Sequence, residues 1–160
     1  RRFAVFLRIA PDVAVFGEVR DREALPLLLT LSSGVTGYTT IHAGSARQAL
    51  TRLRFIAQLA DAARDLPLAA LNSLVSESID LVIFSERGEH GPQVSEIVAV
   101  EDLAGGPESV QFTTTEIFTR ATPRSPLEWT GLHPIRLSER MSRFGTDPRN
   151  LLGAQDRRAS

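Results

Sequence analysis

The sequence predicts an α/β fold: a parallel βαβ unit near the start, flanking antiparallel strands, and an irregular C-terminal tail. Three observations carry this. The run Asp12-Val13-Ala14-Val15-Phe16-Gly17-Glu18 is apolar until it ends in a glycine and an acid, the pattern of a strand buried on both faces. A leucine-rich stretch with helical spacing follows it. Gly34 and Gly37 then lead into a second strand-like run, Tyr38-Thr39-Thr40-Ile41-His42. Strand, helix and strand within about thirty residues form a βαβ unit, whose crossover is almost always right-handed.

The first helix is expected over residues 21–31. Leu25, Leu28, Leu29 and Leu31 lie on or near one face, Asp21 is placed to cap the start, and Pro26 sits in the first turn, where proline is tolerated. Ser45-Ala46-Arg47-Gln48 has the form of a capping box. The helix it opens sets Ala46, Ala49, Leu50, Leu53, Ile56, Ala57 and Ala60 on one side and Arg47, Thr51, Arg54 and Gln58 on the other. Another helix starts at Pro67, at the first helical position, and runs through Leu68, Leu71, Leu74 and Val75 before Asp80.

After Asp80 the rhythm changes. Leu81 to Phe84, Val94 to Val100 and Val110 to Phe118 read as strands, separated by turn-forming Gly88-Glu89-His90-Gly91-Pro92 and Gly105-Gly106-Pro107. They are expected as antiparallel neighbours flanking the parallel part. The remainder holds Pro123, Pro126, Pro134 and Pro148, one amphipathic stretch (Leu137, Met141, Phe144), and a polar end expected to be disordered. The expected division is residues 1–120 as the α/β domain and 121–160 as an extension.

At 160 residues, 42% hydrophobic, the chain is long enough to bury a core without staples, and with no cysteine it has neither disulfides nor a thiolate metal site. Eighteen basic side chains face nineteen acidic ones, which argues against a broad cationic surface for nucleic acid. No apolar stretch reaches the ~18 residues of a membrane span, so a soluble, cytoplasmic protein is expected. The only methionine is Met141, and the expectation is a piece of a longer chain whose missing part lies upstream.

Ligands of open α/β sheets bind beyond the carboxyl ends of the parallel strands, and both predicted strands end there in a functional group, Glu18 and His42. A carboxylate so placed can hold a metal-bound water or take its proton during attack on a phosphate; an imidazole beside it can bond a phosphate oxygen. Spacing alone does not separate this from two solvated strand-end residues.

The motifs themselves separate the two. Leu7-Arg8-Ile9-Ala10-Pro11-Asp12, the apolar strand, and Gly17-Glu18-Val19-Arg20-Asp21-Arg22-Glu23 resemble the Walker B region of the secretion ATPase superfamily, the hexameric motors of type II and type IV secretion and of pilus assembly. The segment from Gly37 through Thr40, His42, Ala43, Gly44 and Ser45 to Arg52 and Leu53 is similar to that family's histidine box. Asp65-Leu66-Pro67, Ile79-Asp80-Leu81-Val82 and Trp129-Thr130-Gly131-Leu132-His133-Pro134 resemble its tight-adherence and type IV secretion branch.

The resemblance implies the C-terminal half of a RecA-like P-loop NTPase core, using ATP and Mg²⁺ in the full-length parent. Glu18 would be the glutamate that positions or activates the attacking water, near Mg²⁺ through water and not as a direct ligand, and His42 the residue close to the γ-phosphate. Arg8, Arg20 and Arg52 fall on family arginines, candidates for nucleotide or interface contacts; Arg20 could equally be a structural ion-pair residue, and Arg52 a surface arginine. Gly17 and Gly37 would let the backbone pass close to phosphate or bend, and Thr40 belongs to the same set. The implied partners are further copies in a head-to-tail homo-hexamer and an inner-membrane secretion or pilus platform, with no specific nucleic acid and a location peripheral to the cytoplasmic face of that membrane.

Two departures stand out. No G-x-x-x-x-G-K-[ST] loop occurs, lysine being absent altogether, and Gly44 stands where the histidine box carries Asn. Without the phosphate cradle that such a loop provides, these 160 residues are expected to be inactive alone. The competing readings are a degenerate remnant acting as a non-catalytic assembly module, and a motor for DNA transfer in conjugation. Asp61, Asp65 and Asp80 read as caps and surface, His90 and His133 as solvated, Trp129 as an anchor for the tail, and the tail arginines as a solvated basic face.

Overall fold

Alternation along a strand and spacing along a helix decide which side chains turn inward, and in the computed structural model, which describes residues 12–104, 111–148 and 150, they do so in two units. One comprises Arg1–Ile79 with Leu103–Phe112, the other Asp80–Asp102 with Thr113–Ser160. Arg8 and Pro11, the Gly105-Gly106-Pro107 turn, Val110, Arg149 and the polar end from residue 151 lie outside the described residues.

In the first unit, β1 (Val13–Val15), α1 (Ala24–Ser32) and β2 (Thr36–Tyr38) form the βαβ crossover. The strands pair in parallel, Val13 opposite Thr36, Ala14 opposite Gly37 and Val15 opposite Tyr38. β1 differs from the expected doubly buried strand: Ala14 is buried, but Val13 is 51% and Val15 77% exposed. Successive side chains of a strand point to opposite faces, and only Ala14's face is covered. β2 ends at Tyr38 instead of reaching His42, because the regular ladder stops there.

α1 begins at Ala24, three residues later than expected, and Asp21 does not cap it. Residues 21–23 instead form a turn in which the Ala24 N–H donates to the Asp21 carbonyl at 3.0 Å. Leu25, Leu27 and Leu28 are buried, while Leu29 faces out. Gly37 lies beneath this helix. A Cβ there would stand 2.4 Å from Leu31 Cδ2 and 3.2 Å from the Ala14 carbonyl oxygen, so a larger residue would displace the Leu31 side chain and crowd the paired strand.

α2 (Ala46–Gln58) buries Ala46, Ala49, Leu50, Leu53, Ile56 and Ala57, the face its spacing predicts, and ends before Ala60. The Ser45 hydroxyl accepts the Gln48 N–H at 3.1 Å. The reciprocal half of the capping box is displaced by one residue, since Gln48 Oε1 accepts from the Gly44 N–H. A 3-10 turn (Asp61–Ala63) leads to α3 (Leu68–Ser78), with Pro67 as its N-cap and not its first helical residue. Leu27, Leu28, Leu50, Leu71 and Val75 are the fully buried bulk where the three helices pack together. Arg54, on the polar side of the α2 pattern, turns inward: its Nη1 donates to the buried Asn72 Oδ1 at 2.8 Å, and its guanidinium lies 5.6 Å from the centre of the Phe112 ring.

The second unit is an antiparallel sheet in the order β3 (Leu81–Gly88), β4 (Gly91–Val100), β5 (Thr114–Thr119), β6 (Glu128–Trp129), followed by α4 (Ile135–Ser142). The antiparallel pairing agrees with the sequence, but these strands form their own four-stranded sheet and do not extend the parallel pair. Chain neighbours joined by hairpins and short connections pair with one another first. Val98, Ala99, Val100 and Ile117 are buried. Trp129 pairs with Phe118 across β5–β6, donates its indole N–H to the Leu132 carbonyl at 3.1 Å, and meets the His133 ring edge-on.

No side chain of α4 is fully buried. Carboxylates hold it. Buried Glu101 accepts the N–H groups of Ile135 (3.0 Å) and Arg136 (2.9 Å) and the Thr115 hydroxyl (2.8 Å); it satisfies orphan donors of the first turn and sets a negative charge at the positive end of the helix dipole. Asp80 pairs with Arg136 at 3.4 Å and with Arg140. Arg120 donates to the Val94 carbonyl at 2.6 Å and to that of Ser125. Arg120 and Arg136 are therefore structural, correcting the reading of all tail arginines as a solvated face. Glu101→Ala is expected to destabilise the second unit by about 2 kcal/mol and to speed amide exchange at Ile135 and Arg136 most; protection equal to wild type there would show that the carboxylate does not cap the helix.

No described helix is long and apolar enough to cross a membrane.

Candidate functional site

Because β1 and β2 run in parallel, both chains leave the sheet at the same rim. Past the last ladder pair they stay joined by single bonds: the Phe16 N–H to the Tyr38 carbonyl (2.8 Å), the Thr40 hydroxyl to the Gly17 carbonyl (2.6 Å), and the Val19 N–H to the Thr40 carbonyl (2.9 Å). Thr40 thus fastens the two strand ends from both of its oxygens. Val19 is buried, so Glu18, its neighbour, turns to the rim.

There Glu18 meets His42. Glu18 Oε1 lies 3.3 Å from His42 Nε2, and Oε2 lies 2.5 Å from Arg20 Nη2. The Glu18 side chain is 22% exposed, whereas those of His42 and Arg20 are open to solvent. The Arg20 hydrogen bond is the main reason that the Glu18 carboxyl sits below its ordinary value; partial burial opposes it, and the charges of Arg20, His42 and Arg52 add to it. Glu18 in turn raises Arg20. An ionised carboxylate only accepts, so a hydrogen bond across this contact requires the proton on His42 Nε2.

Glu18, His42, Arg20, Thr40 and Gly17 are brought together at this rim. Arg52 stands on the exposed side of α2 and reaches the group through its charge. Gly37 is not at the rim: it lies within β2 opposite Ala14. A Cβ on Gly17 would meet nothing within 4 Å, so packing does not require glycine there. Gly44 joins the turn through its backbone N–H, which donates to Gln48 Oε1. Sequence reading assigned no role to Glu23, whose Oε1 accepts the N–H groups of Arg20 (2.8 Å) and Asp21 (3.2 Å); these bonds, Arg20's first, hold its carboxyl below the ordinary value. An acid just before the helix was the available signal, and it was read at Asp21.

Chemically, the rim presents an imidazole, the positive potential of Arg52 and a carboxylate whose second oxygen Arg20 occupies, groups suited to an anion and a water beside it. Magnesium takes oxygen ligands, but both Glu18 oxygens already have nitrogen partners, so the residues fit an ion held through water. Among the described residues no cluster of three or more acids and histidines forms a metal site by itself.

Known proteins resemble this chain over part of its length. A probable conjugal transfer protein TrbB from Sinorhizobium fredii is 39% identical over 101 residues, covering 62% of this chain and 29% of its own length. The type IV secretion system protein PtlH of Bordetella pertussis is 38% identical over 82 residues, 51% of this chain and 24% of its own. The chain thus spans less than a third of these relatives. The crystal structure of the VirB11 ATPase from the Brucella suis type IV secretion system, in complex with sulphate, superposes with a TM-score of 0.57 at 27% identity, covering 60% of this chain and 30% of that one. Residues 2–87, more than half of the chain, match the sequence profile of the type II/IV secretion system proteins, and it is to that family that this chain belongs.

Proposed function

We propose that this chain is the C-terminal half of a RecA-like motor domain in an ATPase that couples ATP hydrolysis to protein secretion or pilus assembly. Residues 1–120 would be the partial motor and residues 121–160 its extension. The observation that carries the reading is the contact between Glu18 and His42 at the carboxyl rim of a parallel strand pair, with Thr40 fastening both strand ends.

ATP with Mg²⁺ would be held by a phosphate-binding loop of the parent and would supply the phosphorus for attack by water. The chain's own residues do the rest. Glu18, whose ionised form the Arg20 hydrogen bond favours, accepts a hydrogen bond from that water and orients it, the task of a general base. His42 offers Nε2–H, which can pass from Glu18 to an oxygen gaining charge. Arg52 adds positive potential at the same rim. Alone, the 160 residues would not turn over ATP. The parent would close into a head-to-tail homo-hexamer at the cytoplasmic face of the inner membrane, docked on a secretion or pilus platform. A conjugation motor is the second reading, favoured by the likeness to TrbB.

In the parent carrying the phosphate-binding loop, His42→Ala should lower kcat about 100-fold while leaving the Kd for ATP within a few-fold. An unchanged kcat would leave the imidazole without a part in the reaction.

A further inference from the structure

The motif Gly17-Glu18-Val19-Arg20-Asp21-Arg22-Glu23 contains a second glutamate that the proposed chemistry leaves without a task. Glu23 stands at the N-cap of α1, yet its side chain makes no bond to that helix. It reaches backwards, where Oε1 accepts the N–H groups of both Arg20 and Asp21, and the Ala24 N–H closes on the Asp21 carbonyl immediately after. Residues 20–24 are thereby fixed as one tight turn.

The turn matters because of what Arg20 does. Its side chain is 75% exposed, and a long side chain in water loses rotamer freedom when it is held in one geometry. Its direction from the backbone must therefore be set locally. Val19, between Glu18 and the turn, is buried and tied to the Thr40 carbonyl, and on the other side the Gly17 carbonyl accepts the Thr40 hydroxyl, so Glu18 is flanked by two fixed backbone points. One of its oxygens faces Arg20 and the other faces His42.

We propose that Arg20 and Glu23 form a positioning relay for Glu18: Glu23 sets the turn, the turn aims the guanidinium, and the guanidinium fixes one carboxylate oxygen so that the other faces His42. The relay's use in hydrolysis rests on the proposed role of Glu18; its geometry does not. The depressed Glu18 and Glu23 carboxyls, each with Arg20 as the leading cause, agree with it. Arg20 is then a positioning residue of this subunit's own rim and not a direct contact to nucleotide.

The test is a carboxyl titration of residues 1–160 by carbon-detected NMR. Arg20→Gln should raise the Glu18 midpoint, and Arg20→Lys, which keeps the charge but not the planar fork, should raise it less. Glu23→Ala is decisive because the alternatives differ in sign. Loss of a nearby negative charge alone lowers the Glu18 midpoint, whereas loss of the relay raises it. Glu23→Gln, which keeps an acceptor oxygen, should not raise it. The double variant Arg20→Gln/Glu23→Ala should stand no higher than Arg20→Gln, since both act through one guanidinium. A Glu18 midpoint that falls in Glu23→Ala, or that rises further in the double variant, overturns the relay. Should Glu23→Ala not fold, the wild-type Arg20 amide proton must follow the Glu23 titration, and an amide indifferent to it overturns the relay equally. None of these readouts involves turnover, so a relay that stands while hydrolysis proves independent of Glu18 would remove the proposed function alone.

Discussion

Glu18→Gln, placed in the longer protein that supplies the phosphate-binding loop, is expected to lower ATP turnover by roughly a hundred- to ten-thousand-fold, the usual worth of a positioned general base. The amide keeps the shape of the carboxylate and one acceptor oxygen, so the Thr40 bonds that hold the rim together are untouched. It loses the ability to take a proton and the charge that Arg20 and His42 face. Bound nucleotide should therefore accumulate unhydrolysed. The measurement pairs single-turnover hydrolysis with the dissociation rate of a fluorescent nucleotide. Wild-type hydrolysis by the variant would take Glu18 out of the reaction; slow hydrolysis with nucleotide lost would make its role one of binding.

Leu71→Ala is expected to destabilise the first unit by about 3 kcal/mol, the middle of the range for emptying a closed leucine site. Leu71 is fully buried in α3, the helix that packs on both α1 and α2. None of the three helices can shift to fill the space without opening a contact elsewhere. The loss should appear as a lower urea midpoint in far-UV circular dichroism. Tryptophan fluorescence would report on the wrong place, because Trp129 belongs to the second unit. A change below about 1 kcal/mol would mean that the site collapses around the smaller side chain. Because the His42 turn leads directly into α2, loosening this packing should also weaken the contact between His42 and Glu18.

What was legible in the sequence was chiefly local. α2 could be read almost residue by residue, since a Ser cap and six apolar positions at helical spacing act within one segment. The antiparallel strands followed from the turns between them. The meeting of Glu18 with His42 followed from the parallel crossover, although the motifs and not the spacing set it apart from two solvated strand ends. Other features depended on partners distant in the chain. The exposure of Val13 and Val15 depends on what covers each face of a strand, which the strand's own residues do not specify. Glu101 capping α4, Asp80 holding Arg136 and Arg140, and Arg54 reaching Asn72 join residues that periodicity treats as unrelated. The start of α1 was misplaced for a subtler reason. Glu23, one methylene longer than an aspartate, bends back onto the preceding backbone and takes the N–H groups of Arg20 and Asp21, which fixes these residues as a turn ahead of the helix.

The fastening of α4 has two ends of different character. At its first turn the Glu101 oxygens are shut away from solvent, where dissolved ions screen little, while Arg140 reaches Asp80 across a partly wet surface, where added salt weakens the attraction. Rising ionic strength should therefore loosen the far end of the helix before the near one. The segment ending in Arg143 and Phe144 would then swing about a pivot at Ile135 like a gate on its post.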